Sequence, residues 1–302
     1  MVKAGKISEH DALIGISGGT DSSETLLLAH EAGLKLLAVH MDNGWDTQVS
    51  ISNINKLTKL NGVDYECEVL NWNNFKLLQR IFIESGLPDI ELPTDIAILA
   101  VVNRLAIKYG IKTIITGGNI SNEGILPASW MYNVKDTFFA ESIIKKAGYS
   151  KKIFNQVRFG FRDELKHKFI YKIQTFHPLN YFKYDKESAK LELKQKLGWE
   201  SPIGKHCEST YTRFCQLIYQ PIRHKFDYRR ARLSTDILQD RITREKALEI
   251  LKKPPWAELD VEKELAFISY KLGYKKGELE NIMEMPSKWY TDFPNREKFL
   301  GF

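Results

Sequence analysis

Residues 12–16 read Ala-Leu-Ile-Gly-Ile and pass directly into Ser17-Gly18-Gly19-Thr20-Asp21-Ser22-Ser23, which opens a run of helix formers ending at Gly33. A short uncharged apolar run followed by glycines is the pattern of a buried strand entering a tight turn. Residues 22–32 predict a helix with Gly33 as its C-cap. In a strand–turn–helix of this kind, glycines let the main chain approach a phosphate chain without side-chain clash. Consecutive amides and the helix N-terminus then favour a bound anion. The hydroxyls of Ser17, Thr20, Ser22 and Ser23 add donors. Ser17, Gly18, Gly19, Thr20, Asp21, Ser22 and Ser23 therefore read as a phosphate-binding loop, with a plain glycine-rich turn as the bland alternative. An acidic residue inside such a loop would repel its ligand, so Asp21 reads as a magnesium ligand or a helix cap. The Gly-Lys-Ser/Thr ending of a Walker A loop is missing, and so is the dinucleotide GxGxxG spacing.

Outward from this loop, short apolar runs predict further strands at 35–41, 64–70, 112–116 and 172–177. In the third of these, Tyr65, Cys67 and Val69 share one face. Helices are expected at 48–60, 94–109, 186–197, 243–253 and 261–272. Alternating strands and helices give an α/β, doubly wound, five-stranded parallel sheet with helices on both faces. Residues 120–170, rich in aromatics and lysine, read as an insertion. The expected division is a domain over 1–200 and a helical region over 201–302. Loops at strand C-termini line the ligand crevice of such a sheet. This singles out His40, Asp42 and Asn43 after the second strand and Thr116, Gly117 and Asn119 after the fourth. A simple polar turn is the alternative at Asp42 and Asn43.

Of the 302 residues, 43% are apolar and 27% charged, with a formal net charge of +6, which permits a sizeable core and a mildly basic surface. The three cysteines, Cys67, Cys207 and Cys215, form no CxxC pair, so neither a zinc ribbon nor a dithiol redox motif is visible. No stretch approaches the ~20 apolar residues of a membrane span. A soluble, cytoplasmic protein is expected.

The Ser17–Ser23 loop resembles the SGGxDS signature of PP-loop ATP pyrophosphatases. That resemblance implies ATP and Mg2+, with the β,γ-pyrophosphate held as leaving group. Pro178-Leu179 with Lys186 resembles the Pro-Leu…Lys element that follows strand five in many members. A narrower resemblance is to the N-acetyl sugar amidotransferase family of surface-polysaccharide biosynthesis. It rests on Val39-His40-Met41-Asp42-Asn43-Gly44-Trp45, Pro93-Thr94-Asp95, Glu123-Gly124-Ile125-Leu126-Pro127 with Ser129-Trp130, Gly204-Lys205-His206 with Glu208-Ser209, Tyr211-Thr212-Arg213-Phe214, Arg229-Arg230-Ala231 and Lys253-Pro254-Pro255. These stretches span nearly the whole chain in the family's order.

The family resemblance implies an enzyme of lipopolysaccharide O-antigen assembly that turns an acetamido group of an N-acetylated nucleotide-sugar into an acetamidino group. It also implies separate partners, namely a glutaminase and an ammonia-channelling barrel resembling imidazole glycerol phosphate synthase. Lys205, His206 and Arg213, with Asp21, are the candidate catalytic side chains. Glu123, Trp130, Glu208, Tyr211, Arg229 and Arg230 are candidates for substrate binding. The bland alternatives are a solvated loop over 205–210, core anchors at Tyr211 and Trp130, and solvent-facing arginines. Relatives commonly carry a cysteine pair ahead of the first strand, a segment not found here, so no metal beyond magnesium at Asp21 is expected. Cys207 and Cys215 stand where aromatic residues are expected in relatives.

Two other readings compete. A tRNA-modifying PP-loop enzyme would suit the basic charge, but no catalytic cysteine pair or concentrated basic stripe is present, and nucleic acid is not an expected partner. An adenine-nucleotide sensor would bind ATP without releasing pyrophosphate. The helical C-terminal region suits a homodimer.

Overall fold

A computed structural model describes residues 8–120, 126–127, 130, 132–201 and 208–297. Glu123, Lys205, His206 and Cys207 lie outside the described residues. Five strands, β1 (Ala12–Gly15), β2 (Leu36–Asp42), β3 (Val63–Val69), β4 (Thr113–Ile115) and β5 (Gln174–Phe176), form one sheet in the order β3-β2-β1-β4-β5. Every neighbouring pair is parallel. The order reverses at β1, so a topological switch point lies beyond the C-terminal ends of β1 and β4, where open α/β sheets bind their ligands. Each strand falls within two residues of its expected bounds.

The compact units interleave along the chain. One takes the described parts of 1–70, 98–119 and 161–210, and the other those of 71–97, 120–160 and 211–302. The first contains the sheet. Ala12, Ile14 and Ile16 of the β1 segment pack with Leu26 and Ala29 of α1 (Thr20–Glu31) and Ile54 and Leu57 of α2 (Gln48–Leu57). Gly15 points to the opposite face, where a Cβ would stand 3.6 Å from Val102. Strand alternation thus puts helices on both faces.

The edge strand β3 departs from the usual buried pattern. Tyr65, Cys67 and Val69 do share a face, but it is exposed, Val69 to 64%. The opposite face carries Glu66 and Glu68, which bind Lys108, Tyr109 and Arg104 of α4 (Leu92–Tyr109) at 2.8 Å each. An edge strand has only one neighbour, and here one of its faces is held by surface ion pairs rather than apolar packing.

The second unit holds a helix absent from the sequence reading, α3 (Trp72–Ser85). Asn71 caps it by accepting from the Asn74 amide, and Gly86 ends it at φ 82°. Its buried Phe75, Leu78 and Phe82 recur at helical spacing. The same unit carries Arg244–Leu251 and Val261–Leu272, both where the periodicity predicts helices, with Ala247, Ile268 and Leu272 buried. No helix among the described residues is long and apolar enough to cross a membrane.

Glu24 is 5% exposed on α1, beside the helix Lys186–Leu197, and its Oε2 has no hydrogen-bond partner among the described residues. Burial first, then the charge of Glu192, raises its pKa from the ordinary 4.5 to about 7. The folded chain therefore holds a proton that the unfolded chain gives up between these values, and stability falls as pH rises through that window. Glu24→Gln is expected to flatten this decline, as urea unfolding at pH 4.5 and 7.5 would reveal. An unchanged difference between the two pH values would refute the assignment.

Candidate active site

The β1 chain continues straight into the loop, with the Ile16 amide bonded to Val39 O at 2.8 Å. Ser17 and Ser22 close the loop on itself. The Ser17 amide donates to Ser22 Oγ at 3.3 Å, and Ser22 Oγ reaches Gly19 O at 3.2 Å. Gly18 takes φ +74°, and a Cβ there would stand 2.4 Å from Ser50 O on α2. Gly19 is the N-cap of α1 and brings no side-chain cap. The first amides of a twelve-residue helix are thus left without a capping side chain at the switch point, which suits an anion.

Behind the loop stands a clamp built from residues the sequence reading did not flag. The indole of Trp199, 1% exposed, donates to Gly18 O at 3.2 Å and to Ser23 Oγ at 3.1 Å. Asn53 Nδ2 donates to Gly18 O at 3.1 Å and to Glu200 O at 2.8 Å, while Asn53 Oδ1 accepts from the Glu200 amide. Trp199 packs with Leu27 and Leu193, just past the helix terminator Gly198 at φ 63°. Its only signal in sequence is a tryptophan following a helix-ending glycine. Trp199→Phe keeps a ring but removes the donor, and a stability loss of about 2 kcal/mol is expected. Urea unfolding measures it, and a variant as stable as the parent would show that the clamp is dispensable.

In front of the loop, Asp21 sits in the first turn of α1. Tyr184 Oη donates to its Oδ1 at 2.6 Å and Lys186 Nζ to its Oδ2 at 3.3 Å. Burial, then the Asp21 charge, pushes the Tyr184 hydroxyl well up, so it stays a donor. Gly117 backs onto the same turn, because a Cβ there would stand 2.7 Å from Asp21 C. The Gly118 amide bonds Thr116 Oγ1, and Asn119 Nδ2 donates to Gly117 O. The loop after β4 is thereby folded against the start of α1.

The loop after β2 closes the same end of the sheet. Asp42 Oδ1 accepts from the Gly44 amide and Asn43 Oδ1 from the Trp45 amide. His40 uses both ring nitrogens inside the protein. Nδ1 lies 3.1 Å from Ile16 O, and Nε2 lies 3.0 Å from Asp46 Oδ2. Burial opposes its charge, but the Asp46 carboxylate and the Ile16 carbonyl outweigh it, and its pKa is raised. Glu208 is drawn to this end by main-chain bonds. Its carbonyl accepts from the Thr47 amide, and Ser209 bridges to Asp46. Its Oε1 stands 2.9 Å from where a Cβ on Gly19 would be.

Residues 208–301 match the family described as LPS biosynthesis protein WbpG-like, C-terminal domain. The C-terminal region of this chain is thus similar to that WbpG-like domain. The SGGTDSS loop follows the central strand of a parallel β3-β2-β1-β4-β5 sheet, an α/β, doubly wound arrangement. Among curated proteins nothing matches the chain.

Solved structures superpose partially, among them three at 14% identity. A predicted tRNA methyltransferase subunit from Methanocaldococcus jannaschii does so over 61% of this chain and 74% of its own, with a TM-score of 0.36. The NMN synthetase of Francisella tularensis does so over 66% and 90%, with a TM-score of 0.32. The NH3-dependent NAD synthetase of Campylobacter jejuni does so over 63% and 86%, with a TM-score of 0.31. Superpositions this loose carry no functional argument.

Of the candidate site residues in the WbpG-like region, Glu208 lies in the first unit and Tyr211, Arg213, Arg229 and Arg230 in the second. Tyr211 is buried and its hydroxyl donates to Ile90 O at 3.2 Å. Arg213 forms a two-point pair with Glu264 at 2.7 and 3.3 Å. Arg229 binds both oxygens of Asp227 and also Lys253 O, whereas Arg230 is exposed. Trp130, which lies ahead of the WbpG-like region, stacks on its Phe226 at 4.7 Å and tilts against Tyr228 at 5.5 Å. Cys215 is buried and free, and burial pushes its thiol well up, away from the thiolate a nucleophile needs.

Proposed function

We propose that this protein is an ATP-dependent amidotransferase that forms an amidine on an N-acetylated nucleotide-sugar for lipopolysaccharide assembly. The observation that carries the reading is the uncapped, glycine-lined start of α1 at the switch point, with Asp21 beside it. It is supported by the WbpG-like domain, which ties the chain to LPS biosynthesis. An amide carbonyl is a poor electrophile, and adenylation remedies this. The acetamido oxygen attacks the α-phosphorus of ATP as the bond to the β-phosphate oxygen breaks, and pyrophosphate leaves. Ammonia then adds to the imidate carbon, the C–O bond breaks with AMP as leaving group, and a proton is lost to give the amidine.

In this reading the amides of the Ser17–Ser23 loop hold the departing diphosphate, and Lys186 adds positive charge beside it. Fixed donors aimed at developing charge do most of the catalytic work in such a transfer. Asp21 fits magnesium, since a carboxylate and neighbouring hydroxyls are the hard oxygen donors that ion prefers. When bound, magnesium would neutralise charge on the diphosphate. His40, Asp42, Asn43, Thr116, Gly117 and Asn119 are proposed to line the nucleotide. Glu123, Trp130, Glu208, Tyr211, Arg229 and Arg230 are proposed for the sugar, and Lys205, His206 and Arg213 for the transfer itself. Free ammonia is scarce at neutral pH, so a separate glutaminase and an ammonia channel are proposed partners.

The test is a pyrophosphate-release assay with ATP, magnesium, ammonium and acetamido nucleotide-sugars, followed by mass spectrometry of the sugar. Release that requires the sugar, with amidine formed, is the expected result. Release driven by tRNA and indifferent to sugar would favour the tRNA-modifying alternative.

A further inference from the structure

The second unit contains a small cavity that the adenylation chemistry does not use. Asp89, between α3 and α4, lines it together with Pro88, Leu92, Tyr132, Phe139 and Tyr290. Its volume is about 10 Å³, room for one water-sized particle. Asp89 is 8% exposed, and its Oδ2 is buried with no hydrogen-bond partner among the described residues. A buried carboxylate in that condition is costly unless something pairs with it.

The surroundings ask for positive charge. Burial, then the charge of Glu91, pushes the Asp89 carboxyl up to about 7, against the pull of the Glu91, Tyr132 and Leu92 amides. Asp95 nearby is pushed well up by burial and by the charges of Asp89 and Glu91. The other walls are aromatic. Tyr132 stacks on Tyr290 at 4.9 Å and tilts against Phe139 at 4.4 Å. Both tyrosine hydroxyls are committed to other partners, Tyr132 to Asp136 and Tyr290 to Glu297. That leaves rings and one carboxylate oxygen for an occupant. A divalent metal wants several oxygen ligands, and no group of three His, Cys, Asp or Glu among the described residues is placed to hold one. Water would meet the unpartnered oxygen but leave the charge uncompensated. Ammonium is water-sized, donates a hydrogen bond to carboxylate and is attracted to aromatic rings.

We infer that this cavity is a binding site for one ammonium ion, held by Asp89 against the rings of Tyr132, Phe139 and Tyr290. As a reservoir for the nitrogen donor, the site rests on the amidine-forming reading above; as a binding site it stands on the cavity alone.

Titration of the full chain with 15N-labelled ammonium chloride, followed by NMR and referenced to sodium chloride at equal ionic strength, tests it. Saturable binding is expected. Asp89→Asn keeps the shape of the side chain, removes the charge and should weaken binding about tenfold or more. Tyr290→Leu removes one ring from the wall and should weaken binding too, which keeps the test decisive if the Asp89 variant folds poorly. In the pyrophosphate assay, Asp89→Asn should raise KM for ammonium and leave KM for ATP in place. Non-saturable binding, or equal binding by parent and variants, would overturn the site. Ammonium-dependent release that is identical in parent and variant would overturn its role as a reservoir while sparing the amidine reading. Saturable binding lost in Asp89→Asn, with release that needs no ammonium, would uphold the site and sink that reading instead.

Discussion

Asp21→Ala is expected to lower sugar-dependent pyrophosphate release on the order of 10³-fold, while leaving a folded protein. The Asp21 carboxylate receives Tyr184 Oη at 2.6 Å and Lys186 Nζ at 3.3 Å. It holds them beside the uncapped amides of α1, where the diphosphate is proposed to lie. Removing the carboxylate deletes the proposed magnesium ligand and frees Lys186 to wander. The structural cost is smaller. The ion pair is partly solvated, with side-chain exposures of 22% and 25%, so its loss costs about 1 kcal/mol at most. Leaving the Tyr184 hydroxyl with one acceptor fewer adds roughly 1–3 kcal/mol. Pyrophosphate release and thermal unfolding on the same preparation separate the two effects. A variant that keeps near-parental release would remove Asp21 from the chemistry, and one that fails to fold would make it a structural residue.

Gly18→Ala is the second large effect, and here the fold itself is the target. A stability loss of about 4 kcal/mol is expected, from left-handed strain and overpacking together. At φ +74° an L side chain is strained, and its Cβ would also stand 2.4 Å from Ser50 O and 2.9 Å from Ser50 Cα. These are backbone atoms at the start of α2, fixed by the Thr47 cap, so they cannot swing aside. Gly33→Ala separates the two contributions. It has φ +80° but nothing within 4 Å of the new methyl, so only the conformational cost of about 1–2 kcal/mol remains. Urea unfolding of both variants gives the comparison. Equal losses would mean that the loop yields, and that the close approach of Gly18 to α2 does not hold it rigid.

The two substitutions differ in how much of their reasoning was legible beforehand. A glycine pair between an apolar run and a helix announces a turn, so the unusual backbone at Gly18 was readable from local sequence. That the obstacle would be Ser50 was not, because α2 reaches the loop through the packing of Ile54 and Leu57 on the sheet and the Asn53 bond to Gly18 O. In the same way Asp21 stood out as an acid among phosphate-binding types. Tyr184 and Trp199, which grip the loop from front and back, lie over 160 residues away in sequence and carry no motif. β3 teaches a related lesson. Its alternation was plain, but which face met solvent depended on its being an edge strand, and strand order is not a local property.

Local chemistry was enough to write the strands and half of the α-helices among the described residues, because hydrophobic period, glycine and capping chemistry act within a few residues. It was also enough to place a glycine turn at Ser17–Ser23 between a strand and a helix, which needs only neighbouring residues. Only tertiary structure decided the strand order β3-β2-β1-β4-β5, the interleaving of the two units, the Trp199–Asn53 clamp and the enclosure of Asp89 by aromatic rings. Each of those joins groups far apart along the chain. Their energies depend on burial and on distances that exist only once the core has closed.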